Sequence, residues 1–160
     1  MIILIHDRKE KINESIIKNS GSETMIISDD KNIKPCVCCF GCWIKTPGIC
    51  VINDGYENLG ALLSKCNKLI IISECFYGGY SPFIKNVLDR CICPYQLPYF
   101  VVKNGRTSHP KRYKNKIFLS VNFYGNISEK EEETAGKLVK TTFLKQTVNY
   151  FSSFDEIKEV

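Results

Sequence analysis

At 160 residues with 44% hydrophobic content, the chain is long enough to bury one substantial core and too short for two full-sized ones, so a single domain over residues 1–160 is expected. The net charge of +5 comes mainly from scattered lysines, without an arginine-rich stripe or an aromatic-spaced single-strand motif, and no nucleic-acid partner is expected. Nine cysteines is an odd count, and the opening apolar run stops at His6, short of a signal segment or a membrane span; the expectation is a cytoplasmic protein with reduced thiols and no membrane association.

Taken in order, Ile2–Ile5 is a continuous apolar run of the kind buried on both faces of a sheet, and it predicts the first strand. Ile12, Ile16 and Ile17 then fall on one helical side, predicting a helix over Arg8–Asn19. Thr24–Ser28 predicts a second strand, parallel to the first because a helix separates them. Next comes Pro35–Gly55, PCVCCFGCWIKTPGICVINDG, with many reactive residues and little periodicity. Cys36, Cys39, Cys42 and Cys50 space as C-x2-C-x2-C-x7-C, whose first intervals let thiolates converge from one loop on a single centre. The plainer reading makes these cysteines small packing residues around Trp43.

Asp54 and Glu57 form a D-x-x-E pair that predicts a helix start ahead of Leu59, Leu62 and Leu63. Lys68–Ser73 is another fully apolar strand, ending in the loop Glu74–Tyr80, ECFYGGY. Ser81 as N-cap and Pro82 as first helical residue open a helix with Ile84, Val87, Leu88 and Cys91 on one side. Cys93–Asn115 breaks the rhythm with three prolines and a turn at Asn104-Gly105 between short extended pieces. Lys116–Val121 restores a strand, with Tyr124-Gly125-Asn126 as its loop. Ser128 and Glu131 make a second capping box for a helix expected to end near Gln146, and Val148–Phe151 predicts a fifth strand.

Alternating buried strands and amphipathic helices predict a doubly wound α/β domain, with ligands beyond the carboxyl ends of the strands. The loops concerned are His6–Asn13, the cysteine loop, Glu74–Tyr80 and Asn122–Asn126. His6 and His109 have no visible catalytic partner and are expected at the surface or in caps. Arg90, Arg106, Arg112 and Tyr113 suit a nucleotide phosphate, a neighbouring subunit or ordinary salt bridges. The run KRYKNK at Lys111–Lys116 suits a phosphate-bearing small ligand. Cys66, Cys91 and Cys93 read as packing or inert thiols.

Two stretches, Cys36–Asp54 with CFGCWIKTPGICVIND and Leu69–Arg90 with SPFIKNVLDR, resemble the flavodoxin-like NADPH-dependent FMN reductase family, especially its members with a cysteine loop, similar to iron–sulfur flavoproteins. The resemblance implies a flavodoxin-like five-stranded parallel sheet of order 2-1-3-4-5, FMN as cofactor, NAD(P)H as co-substrate, a small-molecule acceptor or redox protein as electron partner, and a homodimer or tetramer. No side chain then acts as nucleophile. It carries the ring-binding loop onto Glu74, Cys75, Phe76, Tyr77, Gly78 and Gly79. Phe76 and Tyr77 offer flat apolar surface, and the two glycines allow close backbone approach. Tyr124 and Gly125 belong to the neighbouring loop. After the first strand, HDRKEKINES lacks the family's phosphate-binding glycine and leaves Arg8, Lys9, Asn13 and Ser15 as phosphate contacts. Two alternatives stay open: an electron carrier with an iron–sulfur cluster of the 4Fe-4S type on Cys36, Cys39, Cys42 and Cys50, and a flavodoxin-like binding protein that has lost FMN.

Overall fold

Five runs rich in isoleucine, leucine, valine and aromatic residues line up in parallel to make the central sheet of the computed structural model, which describes residues 1–9, 12, 16, 17, 23–29, 32–140 and 145–160. In chain order the elements are β1 (Ile2–His6), β2 (Thr24–Ser28), α1 (Gly41–Ile44), α2 (Leu59–Lys65), β3 (Lys68–Glu74), α3 (Pro82–Tyr95), β4 (Val101–Lys103), β5 (Arg106–Ser108), β6 (Phe118–Tyr124), α4 (Glu129–Lys140) and β7 (Lys145–Phe151). A 3-10 turn at Phe154–Glu156 follows. The sheet order is β2-β1-β3-β6-β7, and β4 and β5 pair separately as an antiparallel hairpin. The expected order 2-1-3-4-5 did not number that hairpin, which lies in the chain between the third and fourth strands of the sheet.

Burial explains the strand sequences. β1, β3 and β6 are interior strands covered on both faces, and Leu4, Ile70, Ile72, Leu119, Val121 and Phe123 are fully buried. The edge strand β7 alternates exposed and half-buried residues instead. The described residues group into two compact units: Met1–Asp30, Cys66–Lys85 and Lys116–Val160 form the first, Lys31–Lys65 and Asn86–Asn115 the second.

Several boundaries differ from the sequence reading. β3 and β6 run on to Glu74 and Tyr124, placing both residues at strand ends rather than in the following loops. The helix expected to end near Gln146 stops at Lys140 among the described residues, and Gln146 lies in β7, paired with Leu119. α3 continues through Pro94 to Tyr95; the proline forfeits one backbone bond to the preceding turn, and the helix ends one residue later. Most of the helix expected over Arg8–Asn19 lies outside the described residues. The Asp54–Glu57 pair closes a turn, the Asp54 N–H donating to Glu57 Oε1 at 2.9 Å, and α2 starts only at Leu59. Ser128 and Glu131 do form a box ahead of α4: the Ser128 N–H and hydroxyl both donate to Glu131 Oε2, at 3.0 and 2.7 Å.

Candidate functional site

The carboxyl edge of the sheet brings Asp7, Asp29, Glu74 and Tyr124 together at the ends of four strands. Asp7 follows β1 directly, and its carboxylate bridges two neighbours: Oδ2 accepts the Glu74 backbone N–H at 2.8 Å, and Oδ1 accepts the Tyr124 hydroxyl at 2.8 Å. Burial, then the bond to Asp7, pushes the Tyr124 phenol's pKa up, so it stays a donor. A cleft of about 260 Å³ is lined by Asp7, Asp29, Glu74, Phe76, Ser81, Pro82, Phe83 and Tyr124. A second cavity of about 320 Å³ shares Asp7, Glu74 and Tyr124 and adds Arg8 and Lys9. The Arg8 guanidinium lies over the Phe154 ring, 5.1 Å from its centroid. Asn13 and Ser15 lie outside the described residues.

After β3 the chain makes a tight reciprocal turn, Phe76 N–H to Gly79 O at 3.0 Å and Gly79 N–H to Phe76 O at 2.8 Å. Its two central residues, Tyr77 and Gly78, have φ of +52° and +76°, the left-handed pattern of a primed turn. Gly78 has a second reason to be glycine: a Cβ there would meet Thr134 Cβ at 2.6 Å and the Glu131 carbonyl oxygen at 2.9 Å on α4. The aromatic residues are left outward, Phe76 at 41% and Tyr77 at 91% exposure. The Gly79 N–H is thus engaged within the turn, and the close approach at Gly78 is to α4. The Cys75 N–H donates to Tyr124 O at 3.0 Å and the Gly125 N–H to Phe151 O at 3.1 Å. The Ser81 N–H donates to Ser73 Oγ at 2.9 Å, while Ser81 Oγ is buried without a hydrogen-bond partner among the described residues.

His6 is wholly buried at the end of β1, not at the surface; neither ring nitrogen has a hydrogen-bond partner among the described residues. Burial lowers its pKa, and Asp7 and the Arg8 backbone offset part of that lowering.

The cysteine segment belongs to the second unit. Burial first, then nearby Cys50, Cys36 and Cys39, raises the pKa of Cys42. Cys93 joins them: burial, then Cys36 and Cys42, pushes its thiol up to about 11, and the Trp43 indole N–H donates to its carbonyl. Among the described residues no group of three or more His, Cys, Asp or Glu is arranged to hold a metal ion. The Trp43 ring packs on His109 at 5.1 Å, and His109 Nδ1 meets the carbonyls of Leu97 and Tyr99 at 3.0 and 2.9 Å, which fixes that nitrogen as the donor.

Arg90 holds this segment to α3. Its Nη1 donates to Lys34 O at 2.7 Å and Asp54 Oδ2 at 2.8 Å, and its Nη2 to Asp54 Oδ1 at 3.0 Å. Both side chains are buried, Asp54 at 3% exposure, and the guanidinium hydrogen bonds hold the Asp54 carboxyl at about 2. Arg90 is therefore an internal clamp rather than a phosphate ligand or surface ion pair. Sequence reasoning missed the structural roles of Asp7, Arg90 and Cys93. Cys93 stands three residues after Arg90 on one helix, a spacing that puts both on one face and was the available signal.

No family model matches the chain. It is 33% identical over 75 residues to an iron–sulfur flavoprotein of Methanocaldococcus jannaschii. The match covers 46% of this chain and 38% of that relative's length. The matched stretch spans less than half of either chain. No described helix is long and apolar enough to cross a membrane.

A flavin divides into two halves when set against these residues. The ring half fits: Phe76 lines the cleft with an apolar ring face, and Tyr77, next to it in the turn, is exposed. The phosphate half does not fit the described residues. The backbone donors of Glu74, Cys75, Phe76, Gly79, Ser81 and Gly125 are already bonded internally, and Asp7, Asp29 and Glu74 bring negative charge to the cleft.

Proposed function

We propose that this chain is a flavodoxin-like redox protein of the NADPH-dependent FMN reductase type, using a flavin to take electrons from NAD(P)H and pass them to a small acceptor or redox protein. The observation that carries the reading is the outward pair Phe76–Tyr77, fixed by a reciprocal turn at the carboxyl edge of a parallel sheet. The similarity to an iron–sulfur flavoprotein supports it. When bound, a flavin supplies the hydride and single-electron chemistry. The chain supplies the rest: Phe76 and Tyr77 offer stacking surface, Gly78 seats the turn on α4, and Asp7 joins the ends of β3 and β6 beneath it. The deciding measurement is the visible absorption spectrum of protein purified without oxygen. Flavin bands are expected; colourless protein that leaves flavin fluorescence unchanged on titration removes the reading, and if it stays folded it supports a binding protein without flavin.

A second reading, an electron carrier with an iron–sulfur cluster, is favoured by the grouping of Cys36, Cys39 and Cys50 around Cys42 and by the donor chemistry of thiolates. Iron and acid-labile sulfide in anaerobic protein are expected under it, and their absence removes it. Tyr99, Phe100 and Val102, each more than half exposed, suit a homodimer or tetramer contact, which light scattering tests by mass.

A further inference from the structure

The cleft at the carboxyl edge carries a charge pattern unlike that of a phosphate site. Asp7, Asp29 and Glu74 line it, with no lysine or arginine among the described lining residues. Arg8 and Lys9 enter only the adjoining cavity, where Asp7 and Glu74 match them one for one. An anion also needs donors, because burying charge without hydrogen bonds is costly. Here the carboxylate of Asp7 already takes the Glu74 N–H and the Tyr124 O–H, the two groups that β3 and β6 direct to this spot. The loop after β3 consumes its own amides at Phe76, Gly79 and Ser81. What the cleft does offer is aromatic and apolar surface from Phe76, Pro82 and Phe83, together with the hydroxyl of Ser81, buried in its wall without a partner among the described residues. That combination suits a planar heteroaromatic ligand of no net charge with a hydroxylated tail.

We propose that this cleft selects the uncharged flavin, riboflavin, over its phosphate ester FMN. The inference rests on the flavin reading above and deepens it: Asp7 stands as a built-in carboxylate where an anionic ligand group would otherwise find its donors, and Asp29 and Glu74 repel a phosphate dianion. Repulsion of this kind amounts to roughly a tenfold difference in affinity for charges near a protein surface, and it weakens as salt shortens the screening length to about 3 Å near 1 M.

The test is a pair of fluorescence titrations, riboflavin and FMN each into the purified protein at low ionic strength, with flavin released by acid from freshly purified protein identified by mass. The expected result is a Kd for riboflavin roughly tenfold below that for FMN, a gap that narrows at high salt. The double variant Asp29→Asn with Glu74→Gln should bring the two within about twofold of each other. It leaves the Glu74 backbone bond to Asp7 in place, so circular dichroism should match the parent. Asp7→Asn is the stronger substitution, used where it keeps the same spectrum. FMN binding as tightly as riboflavin, or more tightly, overturns the inference and leaves flavin binding itself standing. A riboflavin preference that survives both high salt and the double variant overturns the role given to the carboxylates. Failure of both flavins to bind removes the flavin reading, and the inference with it.

Discussion

The carboxyl edge of the first unit and the thiol segment of the second were both candidate sites on sequence, and they are built in opposite ways. At the sheet edge the polar groups are tied to one another: Asp7 to Glu74 and Tyr124, Phe76 to Gly79, Ser81 to Ser73. With the amides of Glu74, Phe76, Gly79 and Ser81 engaged, side-chain surface is what these residues offer for recognition, which favours aromatic contact over anion capture. Around Cys42 the thiols lie near one another without a metal-holding arrangement among the described residues, and the segment is held by the buried Arg90–Asp54 pair together with the Trp43 indole bond to the Cys93 carbonyl. Thus one region is tied by uncharged and carboxylate hydrogen bonds at strand ends, and the other relies in addition on a buried ion pair.

Four measurements sharpen that contrast. The largest effect is expected from Arg90→Ala, which strips the Asp54 carboxylate of its counter-charge and leaves it only the Lys34 and Tyr56 N–H donors; denaturant unfolding should show a loss of about 3 kcal/mol. A loss below about 1 kcal/mol would mean that the clamp is not what holds the segment. Gly78→Ala combines a left-handed φ with a Cβ that meets α4, and a loss of about 2–3 kcal/mol is expected. Gly55→Ala is its control, since nothing lies within 4 Å of the added Cβ there, and should cost about 1 kcal/mol. Tyr124→Phe removes one donor from Asp7, which keeps the bond from the Glu74 N–H, so a smaller loss of about 1–2 kcal/mol is expected.

The pH response separates the two regions last. Asp54, held at about 2 when folded, favours folding above its unfolded value near 3.8, and this contribution disappears as pH falls between the two. His6 is lowered by burial, so its neutral form fits the fold; its contribution is complete above the unfolded value of 6.5 and declines as pH falls below that. Chemical denaturation at a series of pH values should show two descending limbs, the lower one absent in Asp54→Asn. A flat profile down to the lower limb would rule out the assignment for His6.

How legible these features were depended on how local they are. Ile2–Ile5 and Leu69–Ile72 announce interior strands by composition, and Ser81-Pro82 with Ile84, Val87 and Leu88 announces α3, because side-chain period and cap chemistry operate within a few residues. The Asn104-Gly105 turn was legible for the same reason and joins β4 to β5. By contrast Leu138 and Val139 suggested a helix running on to Gln146, where pairing with Leu119 on β6 made a strand instead. Asp54 read as a helix cap, yet Arg90 decides its role.

The sequence by itself determined the alternation of strands and helices, the outward aromatic turn and the grouping of cysteines in one segment. Only the tertiary structure decided that Asp7 closes against residues 67 and 117 positions away and that Asp54 meets Arg90 across 36. Periodicity and capping are properties of neighbouring residues, while a hydrogen bond between distant residues exists only once the register of the sheet has brought its donor and acceptor within about 3 Å.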